Sequence, residues 1–322
     1  MENFIRKICD FLSNCGLAVR KAGSGCGYES LSVDLPSGKG THTILLLGTT
    51  ASTLETAKTQ QEAAQAEISR IYSETSSYPL IITEDRWYSQ NEAMCQRILS
   101  HLEIFTQIYA RNCEIRRIDK ATAKAFLEDH HSYGDAACKY RYGLYLKRHT
   151  GHCHAERSEA SLSPGTLVAV ATFSNARKWV KGDKTIRSYE WTRYASLPGV
   201  RLSGGMGRLL KAFIKDVQPD DIMTYSDLEW SEGKVYEQLG FTLEGTRPSV
   251  TFTIDTSEWS RTAMSSEATA GVDMPPPARG CLAEGQTGVN GSCASDDMPT
   301  PASKIFQNFG SNKYRLKLTD YQ

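Results

Sequence analysis

The run Glu190–Leu210, E-W-T-R-Y-A-S-L-P-G-V-R-L-S-G-G-M-G-R-L-L, constrains the fold of this 322-residue chain more than any other stretch. Its aromatic and β-branched start reads as a strand that runs into Ser203-Gly204-Gly205-Met206-Gly207. A helix follows at once, with Leu209, Leu210, Phe213 and Val217 on one face. Strand, glycine turn and helix in immediate succession point to an α/β arrangement. Where side chains are absent, backbone N–H groups can approach an anion closely, and a helix N-terminus adds positive potential at the same point. A pyrophosphate is the natural ligand; a simple chain reversal is the alternative, and the run by itself leaves both open.

The flanking sequence supplies the rest of a sheet. Upstream, Glu114–Ile118 alternates as a strand and Asp119 can cap a helix through Ala125, Phe126 and Leu127. Tyr140–Leu146, Thr166–Ser174 and Thr185–Ala195 are strand-like. Downstream come a strand (Ile222–Ser226), a short helix (Ser231–Leu239), the Gly240-Phe241 turn and a strand at Ser249–Ile254. Residues 1–110 read as a separate small α/β domain. Its strands are Thr43–Leu47 and Tyr78–Thr83, and a helix is expected over Leu54–Tyr72. A long helix opens at Asn91, with a stripe of Met94, Ile98, Leu102, Phe105, Ile108 and Tyr109.

Two stretches read as insertions, at 149–164 and 256–303. The second holds 5 of the 11 prolines and almost no large apolar residues, so it cannot offset its ordering entropy and is expected to be disordered. Lys304–Leu318 regains strand–turn–strand character and is expected to rejoin the second sheet. The expected domains are therefore 1–110, then 111–255 together with 304–322.

Charge sharpens the question of partners. The chain has 37 Lys+Arg against 37 Asp+Glu, yet residues 111–215 carry 20 basic and 9 acidic side chains. That basic region makes DNA a partner to consider. No apolar run approaches the ~18 residues of a spanning helix, and no signal-peptide pattern is read at the start, so no membrane association and a cytoplasmic location are expected. Nine cysteines without regular spacing fit free thiols. His149, His152, Cys153 and His154 cluster, but adjacent ligands cannot all reach one tetrahedral ion, so no metal is expected there.

The glycine loop, together with Asp221–Ser226 and Val235–Phe241 (V-Y-E-Q-L-G-F), resembles the GNAT N-acetyltransferase superfamily. Its members place a Gly-x-Gly phosphate loop between a strand and a helix, followed by an L-Y-x-x-x-G-F signature that Tyr236, Gly240 and Phe241 match. Leu202 stands where the family usually has Gln or Arg, and Glu229 where it often has Asn. The strings A-R-N-C-E-I-R-R-I (Ala110–Ile118), F-L-E-D-H-H-S-Y-G (Phe126–Gly134) and T-F-S-N-A-R-K (Thr172–Lys178) look like a GNAT-like module of phages and mobile elements. That module is often fused behind a restriction-like or homing-endonuclease-like domain. E-D-R-W at Glu84–Trp87 resembles the end of such a domain, and the whole is similar, more distantly, to Mom-type DNA modification proteins.

The resemblance implies a mixed, mostly antiparallel sheet flanked by helices, and acyl transfer from acetyl-CoA or another acyl-CoA to an amine, with a nucleobase as one candidate acceptor. Arg201, Ser203, Gly204, Gly205, Met206, Gly207 and Arg208 would bind the cofactor. Tyr236 would protonate the departing thiolate, and Glu190 or Asp227 would serve as base. His130, His131 and Tyr133 would touch the acceptor. The competing reading is a DNA-binding or DNA-modifying accessory protein that keeps the fold and does not use acetyl-CoA. In the first domain, Asp34, Glu84 and Asp85 lack the Glu-x-Lys that a Mg2+-dependent nuclease needs, so a degenerate nuclease-like scaffold is expected.

Overall fold

The computed structural model describes residues 1–38, 40–147, 162–264 and 303–320. The chain opens with α1 (Glu2–Asn14), followed by β1 (Val19–Gly25), β2 (Tyr28–Asp34) and β3 (Thr41–Leu47). Next come α2 (Leu54–Thr75), β4 (Leu80–Thr83), α3 (Glu84–Ser89) and α4 (Asn91–His101). The four strands form one sheet in the order β1-β2-β3-β4, with β3 and β4 parallel. β3 is apolar on both faces because both are covered, as expected of a buried parallel strand. Ile44 and Leu46 pack with Phe4, Ile8 and Leu12 of α1 and Met94 and Ile98 of α4. Leu45 and Leu47 pack with Ala64 and Ile68 of α2.

The rest of the chain supplies a large sheet and two small ones. In chain order come β5 (Thr106–Tyr109), β6 (Cys113–Arg117), α5 (Lys120–His130), β7 (Tyr140–Leu146), β8 (Leu167–Phe173), β9 (Arg177–Lys181) and β10 (Lys184–Ser196). They continue through β11 (Val200–Ser203), α6 (Gly205–Val217), β12 (Asp221–Asp227), α7 (Lys234–Gln238), β13 (Thr242–Arg247) and β14 (Thr251–Asp255). The described chain then adds β15 (Ser260–Ala263), β16 (Ser303–Gln307) and β17 (Ser311–Lys317). The small sheets are β11-β5 and β15-β14-β16, and the large one runs β13-β17-β12-β10-β8-β7-β6, with β9 attached to β10. Its pairings are antiparallel except for β10 with β12. The protein is therefore a mixed α+β fold, with a mostly antiparallel sheet between helices and a small α/β sheet before it.

Helices cover both faces of the large sheet. On one, Phe126 and Leu127 of α5 pack with Val170 and Ala195. On the other, Phe213 of α6 stacks on Phe173 with ring centroids 3.9 Å apart and planes 2° from parallel. The Asp119 carboxylate caps α5 by accepting from the Thr122 amide at 2.7 Å.

Three expectations need correction. The helix from Asn91 ends at His101; Glu103 takes a left-handed φ of 63°, and Thr106–Tyr109 becomes β5, which pairs in parallel with β11. Phe105 and Ile108 kept the helical spacing by coincidence. The short helix is confined to Lys234–Gln238, behind Gly233 at φ 92°. The stretch 256–303 is not featureless throughout: Ser260–Ala263 pairs with β14, and Ser303 begins β16. The remainder of that stretch, and the residues 149–161 that hold His149, His152, Cys153 and His154, lie outside the described residues. Of Lys304–Leu318, the second strand rejoins the large sheet as expected, β17 lying between β12 and β13, whereas β16 pairs with β14 in the separate three-stranded sheet β15-β14-β16.

Candidate functional site

The glycine loop owes its shape to backbone demands. Gly204 takes φ 77°, a left-handed value that side-chain-bearing residues rarely adopt, and stands at the N-cap of α6. The first intrahelical bond runs from the Arg208 amide to the Gly204 carbonyl at 3.1 Å, so the amides of Gly205, Met206 and Gly207 precede it. A Cβ on Gly205 would come within 2.7 Å of the Leu202 side chain and 3.1 Å of the Tyr194 hydroxyl, whereas one on Gly204 would meet only Ala110 at 3.8 Å. The loop is thus closed beneath Gly205 and open above Gly204, which leaves the helix N-terminus facing outward. β5 staples it from the side: Gln107 Nε2 donates to the Ser203 hydroxyl and to the Arg201 carbonyl, both at 2.9 Å.

The flanking arginines behave differently. Arg201 is exposed and lies over the Phe105 ring at 5.2 Å. Arg208 turns inward, donating to the carbonyls of Ala110 and Cys113. Met206 packs its side chain against the core.

The sheet opens beside this loop. β10 and β12 pair over only three positions, the last being Glu190 with Met223. Beyond it β10 bulges between Trp191 and Arg193 against β8, while β12 runs on to Asp227 paired with β17. Two parallel strands that pair and then part leave a gap in the sheet. Tyr236 lies on the α6 side of this gap. Its ring contacts Trp191, Phe241 and Tyr314, and nearby the Thr224 hydroxyl of β12 donates to the Trp191 carbonyl at 3.2 Å. Burial raises the Tyr236 pKa.

The α5 side carries the remaining candidates. Burial pushes the Glu190 carboxyl upward against the opposing pull of Arg247, Arg193 and Arg177. Arg193 donates to the Gly134 carbonyl at 3.1 Å, tying the end of α5 to β10. His131 Nδ1 accepts from the Tyr133 amide at 3.1 Å. Burial, with Arg193 and Arg86 nearby, lowers its pKa to about 3, so it is a neutral ring at ordinary pH. His130 instead packs edge-on against Phe126 at 4.6 Å. Although 44% of Tyr133 is exposed, its hydroxyl accepts from Arg86 Nη2 at 2.8 Å and donates to Asp227. Burial and the neighbouring Glu229 raise the Asp227 pKa.

Asp227 and Tyr133 open onto a buried ion cluster that sequence reasoning did not assemble. Glu229, 2% exposed, accepts from Arg261 at 2.9 and 3.1 Å and from Arg86 at 3.4 Å. Arg261 also binds both oxygens of Asp85, itself 1% exposed, and the Thr83 hydroxyl at 3.1 Å. Arg97 donates to the carbonyls of Glu229 and Trp230 at 3.2 and 3.0 Å. Burial and Arg86 bring its pKa down to about 9. The E-D-R-W string and Glu229 were the available signals, but Arg261 sat in a stretch of disordered composition. Glu84 is occupied too, by the Met1 amine at 3.0 Å and the Thr49 amide at 2.9 Å. Asp34 pairs with Arg20.

Comparison with known proteins adds little constraint. No family model and no curated protein matches the chain. Among solved structures, a chain of the NatC complex bound to Gag peptide and CoA is similar at 12% identity and TM-score 0.32, over 65% of this chain and 99% of that one. A probable N-acyltransferase from Enterococcus faecalis V583 is similar at 12% identity and TM-score 0.30, over 46% of this chain and 36% of that one. The AtaT toxin bound to the C-terminus of antitoxin AtaR and acetyl-CoA is similar at 11% identity and TM-score 0.26, over 42% and 87%. Scores this low leave the site to be read from the chain's own geometry.

Proposed function

We propose that this protein transfers an acyl group from an acyl-CoA to an amine. The observation that carries the reading is the parting of β10 from β12 beyond Glu190 and Met223, beside the outward-facing N-terminus of α6. The amides of Gly205, Met206 and Gly207 suit a pyrophosphate, and Gly204 is the place where a Cβ would intrude on that cradle. Bound there, an acyl-CoA supplies an activated thioester. Arg201 is free to add charge, and Arg208 serves instead to fix the loop to Ala110 and Cys113.

On this reading the two faces of the gap divide the proton work. Glu190, whose raised pKa makes it a better base than an ordinary carboxylate, takes a proton from the attacking amine, directly or through water. Tyr236, whose pKa burial raises, holds the proton that the departing sulfur requires. Asp227 and Tyr133, tied together and backed by Arg86, shape the acceptor side. An amine on a nucleobase falls within this proposal and would have to be extrahelical or single-stranded to reach the gap.

Thiol release from acetyl-CoA with a panel of amines tests it. Tyr236→Phe should lower turnover by about 100-fold or more, the usual worth of a positioned acid, without a matching rise in KM. Equal turnover in the variant would remove Tyr236 from the chemistry. The inward turn of Arg208 favours a second reading, a nucleic-acid accessory protein that does not use acetyl-CoA. Absence of thiol release with every amine, alongside retained binding to nucleic acid, would select it.

A further inference from the structure

β8 continues past the edge of the large sheet into β9, so that β9 and β10 form a two-stranded arm. Register links Lys181 to Lys184, Val180 to Thr185, Trp179 to Ile186, Lys178 to Arg187 and Arg177 to Ser188. β7 reaches only to Tyr140, opposite Phe173, and β12 joins β10 only from Ser188 onward. Among the described residues, no third strand lies beside residues 178–187. Gly182, at φ 57°, closes the tip with Asp183.

The arm breaks a rule of sheet chemistry. Like charges directly opposite one another on neighbouring strands are destabilising, and here Lys181 faces Lys184 and Lys178 faces Arg187. Among the described residues, one of these four cations is neutralised by an acid. Arg187 pairs with Asp220 at 3.3 Å, and Asp220 also accepts from the Arg187 amide at 2.7 Å, fixing the base of the arm. Lys184 reaches a main-chain oxygen, that of Asp320. Among the described residues Lys178 and Lys181 have no acidic partner. Val180 stands 71% exposed between them. A sequence that accepts this repulsion on an arm at the margin of the sheet is shaped for something anionic outside the molecule.

We propose that the β9–β10 arm is a docking surface for duplex DNA, held through its phosphates. A two-stranded ribbon fits the major groove, which is about 12 Å wide. Five paired positions at roughly 3.4 Å each give about 17 Å of ribbon, enough to span the groove and meet phosphates on either wall. Arg177, Lys178, Lys181 and Lys184 line it, and Arg177 also bears on Glu190, which places the base of the arm next to the β10–β12 gap. The arm's binding does not require acyl transfer, since the docking residues lie outside that gap.

The test is fluorescence anisotropy of a labelled duplex titrated with the full chain between about 50 and 200 mM salt. Contacts from three or four cations predict a slope of log K against log salt of about −3 to −4. The triple variant Lys178→Ala, Lys181→Ala, Lys184→Ala should bind at least tenfold more weakly, with a slope near about −1. The double variant Lys181→Gln, Lys184→Gln, which preserves side-chain bulk, should fall between the two. No affinity at the lowest salt, an unchanged slope in both variants, or tighter binding to polyglutamate than to duplex would each overturn the proposal. Titration with CoA is read separately, so loss of one activity leaves the other interpretable.

Discussion

Arg261 offers the sharpest test of how the molecule is held together. Substitution by Met keeps a flexible apolar stem against the Phe252 and Phe306 rings, which now lie 5.3 and 4.5 Å from the guanidinium carbon. It removes the cation shared by Asp85 and Glu229, both almost fully buried. Breaking one side of a buried ion pair costs about 3–5 kcal/mol, because the stranded charge has lost both water and partner. The Glu229 carboxyl gives the direction: burial alone would raise its pKa, but Arg261 and Arg86 together pull it down to about 2.

The sign follows from the direction of the displacement. A carboxyl depressed in the folded state contributes in full above its unfolded pKa and loses the contribution as pH falls through the folded one. Urea unfolding at neutral pH should place Arg261→Met about 3–5 kcal/mol below the parent. The gap should then narrow between about pH 4.5 and pH 2 as Glu229 protonates in both proteins. Asp227 shifts the opposite way, but it does so in both proteins and largely cancels in the difference. A loss under about 1 kcal/mol at neutral pH, the range of an exposed pair, or a gap unchanged by acid, would refute the reasoning.

Other expectations follow from particular contacts. Glu190→Gln should abolish the acid limb of the transferase pH–rate profile, which in the parent should lie above the ordinary carboxylate range of about 4.3; an unmoved limb would assign it to another group. Gly310→Ala should destabilise by about 2 kcal/mol or more. Gly310 sits at φ 73°, and an added methyl would overlap the Arg247 carbonyl, while Gly245→Ala, with nothing within 4 Å, should melt close to the parent. Phe213→Ala should cost about 3–5 kcal/mol in urea, since the fully buried ring stacks on Phe173 and touches Tyr140, Tyr142 and Tyr189.

Much of the second sheet is legible in the chain because its strands are long, β-branched and separated by clear turns. Tyr140–Leu146 matches its strand end to end, and Asp119 caps where an aspartate before a helix should. β1 and β2 were missed: V-R-K-A-G-S-G and Y-E-S-L-S-V-D are polar on the exposed side and carry little apolar run. β9 lacks a strand signal for a similar reason, since R-K-W-V-K carries three cations in five residues. Periodicity alone overextends the helix from Asn91 because β5 preserves the apolar spacing across a left-handed turn at Glu103. Candidate site residues were visible where local pattern specifies them, as at Ser203–Gly207. The ion cluster was not, since its members come from residues 83–97, 133, 227–230 and 261, and only the fold brings them together.

On the proposed function, the parted β10–β12 seam and the α6 N-terminus form a CoA site. Isothermal titration of the full chain with acetyl-CoA measures it directly, with Gly205→Asp as comparison, because a side chain there would press on Leu202 beneath the loop and displace the amides that form the cradle. The account predicts saturable binding near one equivalent to the parent, weakened at least tenfold in Gly205→Asp while the variant still melts cooperatively. No heat of binding from acetyl-CoA or CoA, or identical isotherms for the two proteins, would contradict it.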